Sequence, residues 1–98
     1  MGHQVIWTDE AIADLRQLVA RISQDNPAAA VKLGEELIRK SMLLGAHPRL
    51  GRMLRELKRD ALRELIVRPY RLIYEIDDHA STVKGRVLWH GSRQEPEL

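Results

Sequence analysis

The chain has 98 residues, a formal net charge of +2, 44% hydrophobic and 31% charged residues, and no cysteine. That length supports one domain around one core, the composition excludes a disordered chain, and the lack of cysteine excludes a disulfide framework or thiolate chemistry. No apolar run approaches the roughly 20 residues that span a bilayer, and residues 1–6 carry no signal-peptide pattern, so the expected location is the reducing cytoplasm.

Residues 4–7 form a short β-prone run with Val5 and Trp7 on one face. Thr8 then serves as an N-cap, and Asp9 and Glu10 fall in the first helical turn, where the helix dipole favours acids. Ala11, Leu15, Leu18 and Ile22 form one apolar helical stripe. Asp25-Asn26-Pro27 ends this helix and starts a second: Asn26 caps, and Pro27 suits the first helical position. Ala30, Leu33, Leu37 and Leu44, with Ile38 and Met42 alongside, make the second stripe. Gly45 suits the left-handed position after the helix, and Pro48 stops continuation. The short connection makes the pair a helix hairpin.

Residues 48–60 are irregular, with room for a short strand. Residues 62–67 read as a strand, Pro69 interrupts, and residues 70–76 read as the next. In the latter, Leu72, Tyr74 and Ile76 alternate with Arg71, Ile73 and Glu75; with the first set facing the helices, Arg71 lies on the opposite, open face. Residues 77–81 are a turn cluster, and residues 83–89 the last strand, with Gly85 as a candidate bulge. Residues 94–98 read as a frayed end. The order is β-α-α-β-β-β in a single domain over residues 1–98. The fold class is α+β: an antiparallel sheet with the helix hairpin packed on one face.

Charge is unevenly placed. Between Pro48 and Arg71 eight basic residues face only Glu56, Asp60 and Glu64, a local excess of +5 that leaves −3 elsewhere. Twelve of the sixteen basic residues are arginine, the side chain best suited to bidentate pairing with carboxylate or phosphate. The segment therefore favours an anionic partner, against the plainer reading of a solvated basic surface. His3, His47, His79 and His90 show no metal-ligand spacing, and no phosphate-cradling glycine loop or Ser-His-acid pattern is present.

Four pieces, taken in order, resemble the ParE/RelE superfamily, the toxic halves of type II toxin–antitoxin pairs. They are Asp25-Asn26-Pro27, Pro48-x-x-Gly51-Arg52, Tyr70-Arg71-Leu72-Ile73-Tyr74 and His90-Gly91-Ser92-Arg93. The resemblance implies the RelE/ParE-like fold, a cognate antitoxin as partner, and no metal, small-molecule cofactor or membrane. It also implies a cellular target: one branch cuts mRNA on the ribosome, the other inhibits DNA gyrase. For a nuclease it points to Arg71 and Arg93; the chemistry of cleavage adds His90 as proton carrier, with Glu56 or Glu64 as its partner, against the plainer reading of a hydrogen-bonded strand-end histidine that the gyrase-directed branch also carries. For antitoxin or target binding, the basic excess points to Arg52, Arg63, Arg71 and Arg93 as the side chains that meet a partner's acids.

The residues favour the ParE-like branch. Ribosome-dependent members typically place more basic side chains on the strand before the Tyr-Arg pair, where this chain has Arg63 and Glu64, and a tyrosine in the tail, where it has Gln94-Glu95-Pro96-Glu97-Leu98. An acid at position 64 repels a phosphate unless Arg63 or Arg71 neutralises it. The expected function is that of a plasmid-stabilisation type toxin that inhibits DNA gyrase and is neutralised by its antitoxin. The alternatives are a RelE-like endoribonuclease acting on ribosome-bound mRNA, and a degenerate member that only binds antitoxin.

Overall fold

The structure is a computed structural model that describes residues 2–54 and 57–91. Strand β1 (Gln4–Trp7) leads into helices α1 (Asp9–Asp25) and α2 (Pro27–Met42). Two 3-10 turns, Leu43–Gly45 and Pro48–Leu50, precede β2 (Arg52–Met53), β3 (Leu62–Val67), β4 (Tyr70–Asp77) and β5 (Thr82–His90). The five strands form one sheet in the order β1-β5-β4-β3-β2. β2 to β5 are an antiparallel meander, as the short turns require. β1 departs from the all-antiparallel expectation: it lies parallel to β5, pairing Val5 with Val83 and Trp7 with Gly85. The helix hairpin is the crossover that a parallel pair needs.

The caps expected from sequence are in place. The Thr8 hydroxyl accepts the Ala11 N–H at 3.2 Å and donates to the Gly85 carbonyl at 2.8 Å, so one side chain starts α1 and fixes it to the sheet. Asn26 ends α1 and accepts the Ala29 N–H at 3.1 Å to begin α2. Asp14, one turn into α1, accepts the Leu88 N–H of β5 at 3.1 Å. Gly45 differs from expectation. No glycine among the described residues has positive φ; α2 instead tightens into the 3-10 turn, and the Gly45 carbonyl accepts the His3 N–H at 2.7 Å. Gly85 sits beside the bulge, and the inserted residue is Arg86, skipped where Ile73 pairs Val87 and Tyr74 pairs Gly85.

The core lies between hairpin and sheet: Leu18, Leu37, Leu44, Leu65, Leu72, Tyr74, Ile76 and Val83 are buried there, with Leu15 and Leu33 packed against them. Trp7 donates from its indole to the buried Ser41 hydroxyl at 3.0 Å, which donates to the Ile38 carbonyl, so both polar side chains are satisfied within this layer. Ile38 and Met42, grouped with the second stripe in sequence, turn outward instead. Met42 is 57% exposed and Val31 58%, a separate apolar line on the outer side of α2. The reverse face of the sheet holds a smaller cluster of Leu54, Leu62 and Ile73, with Val87 and Trp89, so it is only partly open.

Leu37 is 1% exposed at the centre of the hairpin–sheet contact. Leu37→Ala is expected to cost about 2–5 kcal/mol, while Met42→Ser on the outer side stays within about 0.5 kcal/mol. Urea denaturation of the two variants checks the assignment of inner and outer faces.

Candidate functional site

The site is built from the side of the sheet where β2, β3 and β4 meet. Tyr74 on β4 is fully buried, and its hydroxyl reaches the loop before β2. It donates to the Pro48 carbonyl at 2.7 Å and accepts the Gly51 N–H at 2.9 Å. Burial pushes its phenol pKa up, which keeps it a neutral donor. A Cβ at Gly51 would fall on the Glu64 carbonyl oxygen and within 2.6 Å of the Tyr74 hydroxyl, so only glycine fits. The spacing Pro48-x-x-Gly51-Arg52 is thus the imprint of a loop hung on Tyr74.

Arg63 completes that loop. Its guanidinium donates to the Asp60 and Gly51 carbonyls at 2.9 Å each, and it pairs with the Asp60 carboxylate at 2.6 Å. Its side chain is 14% exposed. Singled out in sequence as a binding residue, it is placed as an internal brace. Arg49 bridges Asp60 at 2.7 Å and Asp78 at 3.0 Å, and His3 meets the other oxygen of Asp78 at 2.9 Å. Arg49 first, then Arg63, holds the Asp60 carboxyl below the ordinary range; Arg49 first, then His3, does the same for Asp78. A depressed carboxyl stabilises the fold above its unfolded pKa, so this network is intact above about pH 4 and is lost as pH falls further.

With the loop fixed, Arg52 pairs across β2 and β3 with Glu64. Glu64 is 2% exposed, and a single oxygen of its carboxylate, Oε1, takes three donors: Arg52 Nε at 3.0 Å, Arg52 Nη2 at 2.8 Å and Arg71 Nη1 at 3.2 Å. The acid expected to meet Arg63 or Arg71 therefore meets Arg71 and Arg52. A buried carboxylate needs such partners, because an unpaired charge there is strongly destabilising. Arg71 also lies over the Trp89 ring, 5.8 Å from its centroid, a cation–π distance.

Arg52, Arg68, Pro69, Arg71, His90 and Gly91 line an open cleft at this end of the sheet. Arg68 belongs to the Arg68–Pro69 turn, whose peptide bond is cis, between β3 and β4. It has no ion-pair partner among the described residues and was not singled out in sequence. The only sequence signal for it is position, one residue before the proline of a strand-joining turn. His90 pairs with Tyr70 across β5 and β4, with the two rings edge to face at 5.3 Å between centroids. Gly91 donates to the Pro69 carbonyl at 2.7 Å, and a Cβ there would meet Arg71 Nε at 2.9 Å. The structure thus brings together Arg52, Arg71 and His90. It separates Arg63 from them by using it as a brace. Arg93 and Glu56 lie outside the described residues. Among the described residues no three-member His, Asp or Glu group could hold a metal ion, and no helix is long and apolar enough to cross a membrane.

The +5 segment is shared out in a regular way. Arg49 and Arg63 share Asp60, Arg52 and Arg71 share Glu64, and Arg59 and Arg86 share Glu75. Two acids of the segment itself, Asp60 and Glu64, each hold two of its arginines, and Glu75 and Asp78 from β4 and the turn after it reach Arg59 and Arg49. The cleft beside Arg68 keeps part of the positive charge.

Residues 5–95 match the family described as the ParE toxin of the type II toxin–antitoxin system, parDE. Among solved structures, a chain of the chromosomal ParDE system from P. aeruginosa superimposes with a TM-score of 0.73 at 16% identity, covering 90% of this chain and 95% of that one. Free E. coli RelE toxin, in a mutant form, gives 0.65 at 20% identity over 90% of this chain and 82% of that one. The M. tuberculosis RelBE2 toxin–antitoxin complex gives 0.58 at 29% identity, over 92% and 99%. No curated protein sequence matches.

Tyr74→Phe deletes the hydroxyl and orphans both the Pro48 carbonyl and the Gly51 N–H, at an expected cost of about 1–3 kcal/mol. Gly51→Ala is expected to displace the loop and detach Arg52 from Glu64. Thermal melting checks the first. The second is checked by side-chain NMR of the Arg52 Nε–H, whose slow exchange with water should be lost.

Proposed function

The chain belongs to the ParE toxin family of type II toxin–antitoxin systems, and from that membership we propose that it inhibits DNA gyrase in the cytoplasm, in the plasmid-stabilising manner, until a cognate antitoxin binds it. The observation that carries this reading is Glu64, buried between Arg52 and Arg71. Cleavage of RNA needs a base for the 2′-hydroxyl, an acid for the leaving oxygen, and cations at the same phosphate. Here the donors of Arg52 and Arg71 that would meet the phosphate are spent on an internal carboxylate. The ring of His90 packs edge-on with Tyr70. Two aromatic rings that could stack on bases, Tyr74 and Trp89, belong to the two apolar clusters. The geometry suits a binding surface better than a reaction centre.

An antitoxin fits this surface through two features. The outer line of α2, with Val31, Ile38, Met42 and then Leu43 exposed, offers an apolar face for an amphipathic helix. The cleft at Arg52, Arg68 and Arg71 offers cations to acids on the same partner. A second reading, the RelE-like endoribonuclease, draws support from Arg71 and His90 lining one cleft.

Induced expression separates the two. The expected outcome is growth arrest with altered plasmid supercoiling and intact mRNA, retained in His90→Gln and relieved by co-expression of an antitoxin encoded alongside. Codon-positioned mRNA cuts on ribosomes that vanish in Arg71→Ala or His90→Gln would instead establish the nuclease.

A further inference from the structure

The arginine cleft holds an internal anion, and that anion has a consequence for what else can bind. Arg52, Arg68 and Arg71 line the cleft, and Glu64 is the one carboxylate bonded to any of them among the described residues. The four side chains carry a formal +2. The distribution of donors matters more than the sum. Arg52 presents the Nε and Nη2 edge of its guanidinium to Glu64, and that edge is the one that would otherwise fork onto a phosphate. Arg71 turns Nη1 to the same oxygen. Its Nε lies so close to Gly91 that a Cβ there would sit at 2.9 Å. Arg68, exposed on the β3–β4 turn, has no side-chain partner among the described residues.

We propose that Glu64 is the specificity-determining residue of this cleft: it holds the position where a phosphate would bridge Arg52 and Arg71, and so leaves Arg68 and the exposed side of Arg52 to take one carboxylate of an acidic peptide segment. This rests on the reading of the cleft as a protein-binding surface. A nucleic-acid strand presents a charge at every nucleotide and needs a cation for each. Along this face it would meet Glu64 and Glu75, both already shared between arginines. An isolated glutamate or aspartate on a peptide asks for one fork only, which Arg68 supplies. Glu64 therefore does two things. It halves the charge of the pair that would make the face attractive to RNA and occupies the donors between them, and it fixes Arg52 at the cleft rim.

The test is fluorescence anisotropy with two labelled probes, a twelve-residue peptide carrying isolated glutamates among uncharged residues and a twelve-nucleotide single-stranded RNA. Each is titrated into the full chain as wild type, Glu64→Gln and Arg68→Gln. The wild type is expected to bind the peptide more tightly than the RNA. Arg68→Gln should weaken peptide binding about tenfold or more, as loss of a charged hydrogen bond does, with no change in melting temperature. Glu64→Gln keeps the shape and removes the charge. It should strengthen RNA binding about tenfold, with a salt dependence steeper by about 0.7 for each additional phosphate neutralised. The proposal is overturned by a folded Glu64→Gln whose RNA affinity equals wild type, by an Arg68→Gln whose peptide affinity equals wild type, or by a wild type that prefers RNA. Should Glu64→Gln melt below the assay temperature, Arg68→Gln and the wild-type preference decide alone, since Arg68 sits on an exposed turn. Supercoiling assays on the same variants are read separately: if gyrase is unaffected while these binding results hold, the proposed target fails and the cleft assignment stands.

Discussion

The Tyr74 hydroxyl is the point on which the functional side of the molecule hangs. Its ring lies fully buried in the main core, yet its oxygen emerges at the loop and satisfies both the Pro48 carbonyl and the Gly51 N–H. A buried phenol with both a donor and an acceptor partner is a rigid peg, because breaking either bond strands a polar group away from water. Gly51 is pressed against that peg with no room for a side chain. Arg52 follows at once, so its guanidinium is delivered to Glu64 by the core rather than by a flexible loop. Core packing, loop conformation and the charge of the cleft are therefore one connected arrangement.

Ion pairing also divides the basic segment into discrete units. Three acids, Asp60, Glu64 and Glu75, each serve two arginines, and Asp78 adds a second partner for Arg49. Exposed pairs of this kind contribute little individually. Glu64 differs because it is buried, and removing one of its partners leaves a charge with reduced compensation. The result is a face that is patterned rather than uniformly positive. Such a pattern suits recognition of a partner with its own alternating charges better than adhesion to a polyanion.

Much of the fold was legible in the sequence because its signals are local. Helix periodicity, the Thr8 and Asn26 caps and the alternation of Leu72, Tyr74 and Ile76 depend on neighbours within a few residues. The features that escaped are set by distant partners. Nothing in Gln4-Val5-Ile6-Trp7 announces that it pairs parallel with β5 across the helix hairpin. Ile38 and Met42 have the right residue type for a core, but their angular position places them outside. Gly45 has the right type for a left-handed helix end, but the chain tightened into a 3-10 turn instead. The site was half legible. Arg71 was placed on the correct face by alternation, and the pairing with Glu64 was among the expected ion pairs. Counting charges could not tell that Arg63, near the start of β3, turns inward to backbone carbonyls while Arg68, just past its end, has no ion-pair partner among the described residues. That difference is a matter of which carbonyls the Tyr74-bound loop presents.

The coupling between the tyrosine peg and the charged cleft is the central physical claim, and a double-mutant cycle measures it most directly. Tyr74→Phe and Glu64→Gln alter groups on opposite faces of the sheet, and Gly51 and Arg52 connect the one side chain to the other. Unfolding free energies of the wild type, the two single variants and the double variant give their interaction energy. If the hydroxyl delivers Arg52 to Glu64, the two losses overlap, and the cycle shows a coupling of about 0.5–3 kcal/mol. Losses that add to within about 0.3 kcal/mol would show that loop and cleft are independent, and would contradict the claim.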